Sequence, residues 1–113
     1  ELEFLSGVPN LRVLDLGDTQ VTDRVLTTIS GQQILESIDL RYTGTTDAGM
    51  IDLARHSHLT KLDLDGTAVT DAGVAQLRGH SALTSISLNA TRTTDAGLKT
   101  LGSILGLASA EQK

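Results

Sequence analysis

The stretch Leu59-Thr60-Lys61-Leu62-Asp63-Leu64-Asp65-Gly66-Thr67-Ala68-Val69-Thr70-Asp71-Ala72-Gly73 decides how this chain is read. Its first half alternates. Leu62 and Leu64 lie two apart, so a short strand puts both on one face. After Thr70 the spacing becomes helical, with Val74 and Leu77 three apart. Moving 24 residues at a time finds the same pattern again. It runs Leu11-x-x-Leu14-x-Leu16-x-x-Thr19, then Leu35-x-x-Ile38-x-Leu40-x-x-Thr43, and after the quoted stretch Leu83-x-x-Ile86-x-Leu88-x-x-Thr91. Thr22-Asp23, Thr46-Asp47, Thr70-Asp71 and Thr94-Asp95 keep the same register, and the last three continue as Ala-Gly.

Each Thr of these pairs is placed to cap a helix, its hydroxyl accepting from a backbone N–H two or three residues on. The Asp that follows sits in the first turn, where the helix dipole favours negative charge. The apolar helical pairs are Leu26 and Ile29, Met50 and Leu53, Val74 and Leu77, and Leu98 and Leu101. One strand-plus-helix unit cannot bury its apolar face alone. Stacked units can, with equivalent strands forming a parallel sheet at ~4.8 Å spacing.

The repeat resembles the leucine-rich repeat family over nearly the whole chain, in a 24-residue form like the bacterial-style or cysteine-containing-like subtype. That resemblance implies an α/β solenoid with short parallel strands on the concave face and helices on the convex face. It also implies recognition of proteins or peptides rather than catalysis. The sequence departs from the family at Thr19, Thr43, Thr67 and Thr91, where Asn or Cys is commoner. These hydroxyls are expected to point inward and bond the backbone of the neighbouring turn. The first repeat departs too, with Arg24-Val25 in place of Ala-Gly, so its helix is expected to pack less closely.

The expected organisation is a single domain over 1–113. Residues 1–10 continue an earlier repeat; repeats follow at 11–34, 35–58, 59–82 and 83–106; and 107–113 form a cap or tail. Leu98, Leu101, Leu105 and Ala108 suit one longer closing helix, while the strand pattern lapses at Ala110 and Gln112. Solenoids need polar caps. The first residues offer none, so further repeats or another chain are expected at the N-terminal edge.

Composition narrows the function. The chain has 9 Lys+Arg against 14 Asp+Glu, a net charge of −5, and no basic cluster. Nucleic acid and anionic membrane surfaces are therefore poor partners. No apolar run approaches the ~20 residues of a membrane helix. With no Cys there is neither a disulfide framework nor a thiolate nucleophile or metal ligand, which fits a cytoplasmic setting. His56 and His80 are 24 apart with His58 nearby. A His-only set without carboxylates at ligand spacing is a weak metal signal, and they read as exposed loop residues. No nucleophile–base set or cofactor cradle appears, so neither an enzyme nor a cofactor is expected.

The candidate binding surface is the concave face. Its members are Asp15, Asp39, Arg41, Tyr42, Lys61, Asp63, Asp65, Ser87 and Asn89. Asp15, Asp39 and Asp63 fall one strand apart, where like charges repel by ~1 kcal/mol in water and ~3.5 kcal/mol at an effective dielectric near 20. Arg41 and Lys61 offset part of this. A basic peptide or a cation would relieve the rest. The competing explanation is that Asp at this position simply solvates the strand. Tyr42, beside Arg41, is the candidate exposed aromatic. Four short strands offer only ~300 Å² in projection against the ~800 Å² per partner of a standard interface. The leading expectation is a non-catalytic protein- or peptide-binding scaffold. The alternatives are a substrate-recognition arm of a larger assembly, such as a ubiquitin-ligase adaptor, and a structural or homo-oligomerisation module.

Overall fold

Alternating leucines and recurrent Thr-Asp pairs resolve into stacked coils. The computed structural model describes residues 2–105 and 110–111. Among them, β1 (Val13–Asp15), β2 (Ser37–Asp39), β3 (Lys61–Asp63), β4 (Ser85–Ser87) and β5 (Ala110–Glu111) form one parallel sheet in chain order. Between them lie α1 (Asp23–Thr28), α2 (Asp47–Leu53), α3 (Asp71–Ala75) and α4 (Asp95–Leu105). A 3-10 turn over Glu3–Gly7 precedes β1. Leu14, Ile38, Leu62 and Ile86 share one row of the sheet, and Asp15, Asp39, Asp63 and Ser87 share the next.

β5 keeps the 24-residue offset, Ala110 pairing with Ile86 and Glu111 with Ser87. The apolar pattern lapses there but the backbone ladder does not, because a parallel pair is made by N–H and C=O groups whatever the side chain. The closing helix runs to Leu105. The Ala108 position expected to extend it lies outside the described residues.

The core fills the gap between sheet and helices. Leu35, Leu59 and Leu83 before the strands, the strand leucines and isoleucines, and Leu26, Ile29, Met50, Leu53, Val74, Leu77 and Leu101 from the helical segments are all buried. Val25 is fully buried as well, so α1 is packed against its neighbours despite its departure from Ala-Gly. Each of β1 to β4 leads into a left-handed residue: Asp18, Tyr42, Gly66 or Ala90, with φ of 60°, 53°, 70° and 58°. Left-handed backbone is costly for a side-chain-bearing residue. Here it aims the amides of Asp18, Tyr42 and Gly66 at the carbonyls of Arg41, Asp65 and Asn89 in the next coil, each at 2.8 Å.

The turn threonines differ from expectation. Thr19, Thr43, Thr67 and Thr91 donate to the carbonyls of Leu16, Leu40, Leu64 and Leu88 in their own turns, at 2.6–2.8 Å. Each hydroxyl lies three residues after the carbonyl it meets and closes its own turn, whereas Thr60 and Thr84, beside the strands, do reach the preceding coil, donating to the carbonyls of Glu36 and Thr60. Two buried threonines, Thr45 and Thr93, then pair with Thr43 and Thr91 at 2.9 Å. Val21 and Val69 occupy the matching positions in the other two coils.

The helix starts carry the strongest side-chain tie between coils. Thr22, Thr46, Thr70 and Thr94 each accept, through the hydroxyl, from the N–H two residues on, at 3.2–3.4 Å. Beyond this, Thr46 donates its N–H to Asp23 Oδ1 (2.8 Å) and its hydroxyl to Asp23 Oδ2 (2.5 Å). Thr70 repeats both bonds on Asp47, at 2.8 and 2.5 Å. Thr94 does so on Asp71, its amide bond again 2.8 Å. Each Asp thus clasps the coil that follows. The clasp explains the Ala-Gly that follows each later Asp, since a Cβ at Gly49, Gly73 or Gly97 would collide with the carboxylate of Asp23, Asp47 or Asp71. The hydroxyl and amide of Thr94 favour ionised Asp71 and hold its carboxyl below the usual carboxylate value.

A second tie runs along the loops from helix to strand, and it corrects the expectation that His56 and His80 are exposed. His56 is only 1% exposed. Its Nδ1 meets the Gln32 carbonyl at 3.1 Å. His80, half-buried, donates from Nε2 to the His56 carbonyl at 2.8 Å, and its Nδ1 accepts from the Leu83 N–H at 3.2 Å. Gln32 makes the equivalent backward bond one coil earlier, donating from Nε2 to the Val8 carbonyl (2.5 Å), and its side-chain oxygen accepts from the N–H of Leu11 in that preceding coil (3.3 Å). These residues are polar because each must reach a backbone group of the preceding coil, and burial follows from that reach. His58 is exposed.

Candidate binding surface

The sheet alternation turns Val13, Asp15, Ser37, Asp39, Lys61 and Asp63 away from the leucines, as strand geometry requires. Together with Arg41 they line a shallow concavity of about 300 Å³. Asp15, Asp39 and Asp63 each turn one oxygen back to the backbone two residues on. Oδ1 accepts from the N–H of Gly17, Arg41 and Asp65 respectively, at 3.0 Å in all three. This is the short-range turn closure Asp favours, so the column has a structural use. The second oxygen is another matter. Asp39 Oδ2 meets Arg41 Nε at 3.4 Å. Asp15 and Asp63 accept no further hydrogen bond among the described residues.

Charge crowding is felt at Asp63. Burial raises its carboxyl above the ordinary value of 3.8, and the charges of Asp65 and Asp39 push the same way. The Asp65 N–H and the Arg41 guanidinium pull it back in part. Lys61 is exposed beside the column. Arg41 folds towards the N-terminal edge, its Cγ and Nε lying where a Cβ on Gly17 would go.

The residues beyond β3 are tied to each other. Asp65 accepts from the Ser87 hydroxyl (2.6 Å), the Asn89 N–H (2.7 Å) and Asn89 Nδ2 (3.5 Å). Asn89 Oδ1 is buried without a hydrogen-bond partner. Tyr42 stands apart, 58% exposed. Its ring lies over Gly66 of the next coil, and only a residue without Cβ leaves it room. Sequence reasoning placed Tyr42 in solvent but offered no sign of this support, because the two residues are 24 apart. At the N-terminal end, Phe4 and Val13 are 69% and 66% exposed. Among the described residues, no group of three or more His, Cys, Asp or Glu is placed to hold a metal ion.

Parallel strands at 24-residue intervals, a leucine core and helices on the opposite side define an α/β leucine-rich-repeat solenoid. A leucine-rich repeat sequence model matches residues 9–29 and 55–77. The fold is similar to leiomodin-1 actin-binding site 2, with a TM-score of 0.73 and 15% identity over 99% of this chain and 76% of that one. It is also similar to an internalin from Listeria monocytogenes, with a TM-score of 0.66 and 18% identity over 98% of this chain and 37% of that one. No curated protein matches the sequence.

Proposed function

We propose that this chain is a non-catalytic scaffold whose concave sheet docks a protein or peptide, with basic side chains of the partner meeting Asp15, Asp39 and Asp63. The observation that carries this reading is the carboxylate column itself. Three carboxylates are stacked in strand register, two of them with an oxygen left over, and Asp63 is disfavoured in its charged form. A cationic group would relieve that crowding, which a purely structural column leaves in place. Lys61 and Arg41 fix where on the partner acidic groups fit. Tyr42 supplies the exposed aromatic at the rim, held flat by Gly66. Asp65, Ser87 and Asn89 hold one another and act as the wall of the face. The similar solved structures include one titled as an actin-binding site, which supports a protein partner here. The same face would serve equally as the recognition arm of a larger assembly.

The test uses a lysine-rich peptide as probe in a calorimetric titration. Reversing Asp15, Asp39 and Asp63 to Lys should abolish binding. Reversing Glu36, Asp52 and Asp95, which changes net charge equally but lies off this face, should leave most of it. Equal loss from both sets would show that only net charge mattered and would end the proposal. A second reading rests on the N-terminal edge. Among the described residues β1 is paired on one side only, and Val13 is exposed on it. Unpaired strand edges are templates for further pairing, so more coils or a second copy would fit there. Solution mass that is unchanged by Val13→Lys, and monomeric throughout, would remove the second-copy form of that reading.

A further inference from the structure

His56 and His80 are used by nothing in the docking proposal, yet their surroundings are specific. The Gln32 carbonyl can only accept, so His56 Nδ1 must carry the hydrogen. His56 Nε2 is then a bare nitrogen, buried and without a partner. The His56 carbonyl likewise fixes the hydrogen of His80 on Nε2, and His80 Nδ1 is already engaged as an acceptor from Leu83. Both rings are therefore seated as neutral imidazoles in defined tautomers. We propose that this column makes the stacking of the middle coils acid-sensitive: protonating either ring loosens the helix-to-strand loops that follow α2 and α3.

The physical reasons differ between the two rings. A proton added to His56 Nε2 would place a cationic N–H in a buried position that offers no acceptor. A proton added to His80 Nδ1 would set one N–H against another, that of Leu83, and break the bond that starts the approach to β4. The groups facing His56 are few. From the preceding loop comes uncharged Gln32; from α2, Asp52, which is 4.0 Å from Arg55; and from the following loop, His80. Burial is the largest influence and pushes His56 below its ordinary value of 6.5, against the opposite pull of the Gln32 carbonyl and Asp52. The direction follows. The unfolded chain takes up this proton near 6.5 and the folded chain only at lower pH. The stability from the neutral ring is complete above about 6.5 and is lost as pH falls from there through the lower value of the folded ring.

Gln32 supplies the control, since it reaches the carbonyl 24 residues back, as both histidines do, without a titratable group. The experiment is amide exchange at Leu59 and Leu83 in the full chain, corrected for intrinsic chemistry, between about pH 7.5 and pH 5.5. Protection should fall severalfold as His56 is protonated. In the double variant His56→Gln/His80→Gln it should stay level across the same range. The same loss in that variant would overturn the proposal. Ring nitrogen shifts of the unaltered chain give an answer that does not depend on a variant folding. His56 should remain neutral, with its hydrogen on Nδ1, below pH 6.5. A ring that titrates at or above 6.5 would overturn the proposal equally.

Discussion

Two columns of aspartates run along this solenoid at the same 24-residue interval, and they do different work. At the helix starts, Asp23, Asp47 and Asp71 spend both oxygens on the next coil. On the concave face, Asp15, Asp39 and Asp63 spend one oxygen on their own turn. A repeated carboxylate is therefore not evidence of a site. What separates the columns is how much hydrogen-bonding capacity remains once the fold has taken its share.

The largest effect should come from cutting the clasp. Asp47→Ala leaves the amide and hydroxyl of Thr70 without their acceptor, at a cost of roughly 2–3 kcal/mol, read by chemical denaturation. A loss under about 0.5 kcal/mol would mean that the clasp is decorative. Gly66→Ala comes next. It puts a side chain at a φ of 70° and against the Tyr42 ring, and should cost about 1–2 kcal/mol while making Tyr42 fluorescence more mobile. Asp39→Ala should cost less than about 1 kcal/mol, because a turn closure and an exposed ion pair are all that is lost. Its effect should fall on peptide affinity.

Acid separates the columns by sign. Asp71 is held below its ordinary 3.8, so its contribution is present above that value and is lost as pH falls through its folded value. Asp63 is raised above 3.8, so its ionised form is a burden that protonation relieves as pH drops towards 3.8. Asp71→Asn should therefore flatten the acid limb of the stability–pH curve. Asp63→Asn should leave that limb in place and raise stability slightly at neutral pH. Melting curves between about pH 6 and pH 2 read both. A peptide that needs ionised Asp63 should also bind more weakly as pH falls through that raised range.

The coils were legible in the sequence because one subtraction, 24, recurs through leucines, threonines and aspartates. Alternation and helical spacing then assigned the strand and helix of each coil. The clasp was not legible. Asp23 already had an adequate explanation in its own helix dipole, and its partner Thr46 belongs to the next unit. The clue lay in the exception. Val25 stands where the later coils carry Gly49, Gly73 and Gly97, each of which lies against the clasping Asp of the coil before. His56 was misread for a similar reason. A polar loop residue looks exposed until Gln32 at the equivalent position shows that side chains there reach back to a buried carbonyl. Of the concave face, alternation showed which strand side chains point away from the leucines. It could not show that Asp65, Ser87 and Asn89 are bonded to one another, because that depends on which rotamer each adopts.

The difference between the columns is tested most directly by one pair of variants, Asp47→Asn and Asp39→Asn, each measured for stability and for lysine-peptide affinity. The account predicts a crossed result. Asp47→Asn unfolds at markedly lower denaturant yet binds normally while folded, and Asp39→Asn unfolds near the unaltered midpoint yet binds several-fold more weakly. If Asp39→Asn instead lost as much stability as Asp47→Asn and kept its affinity, the concave column would be part of the fold and nothing more.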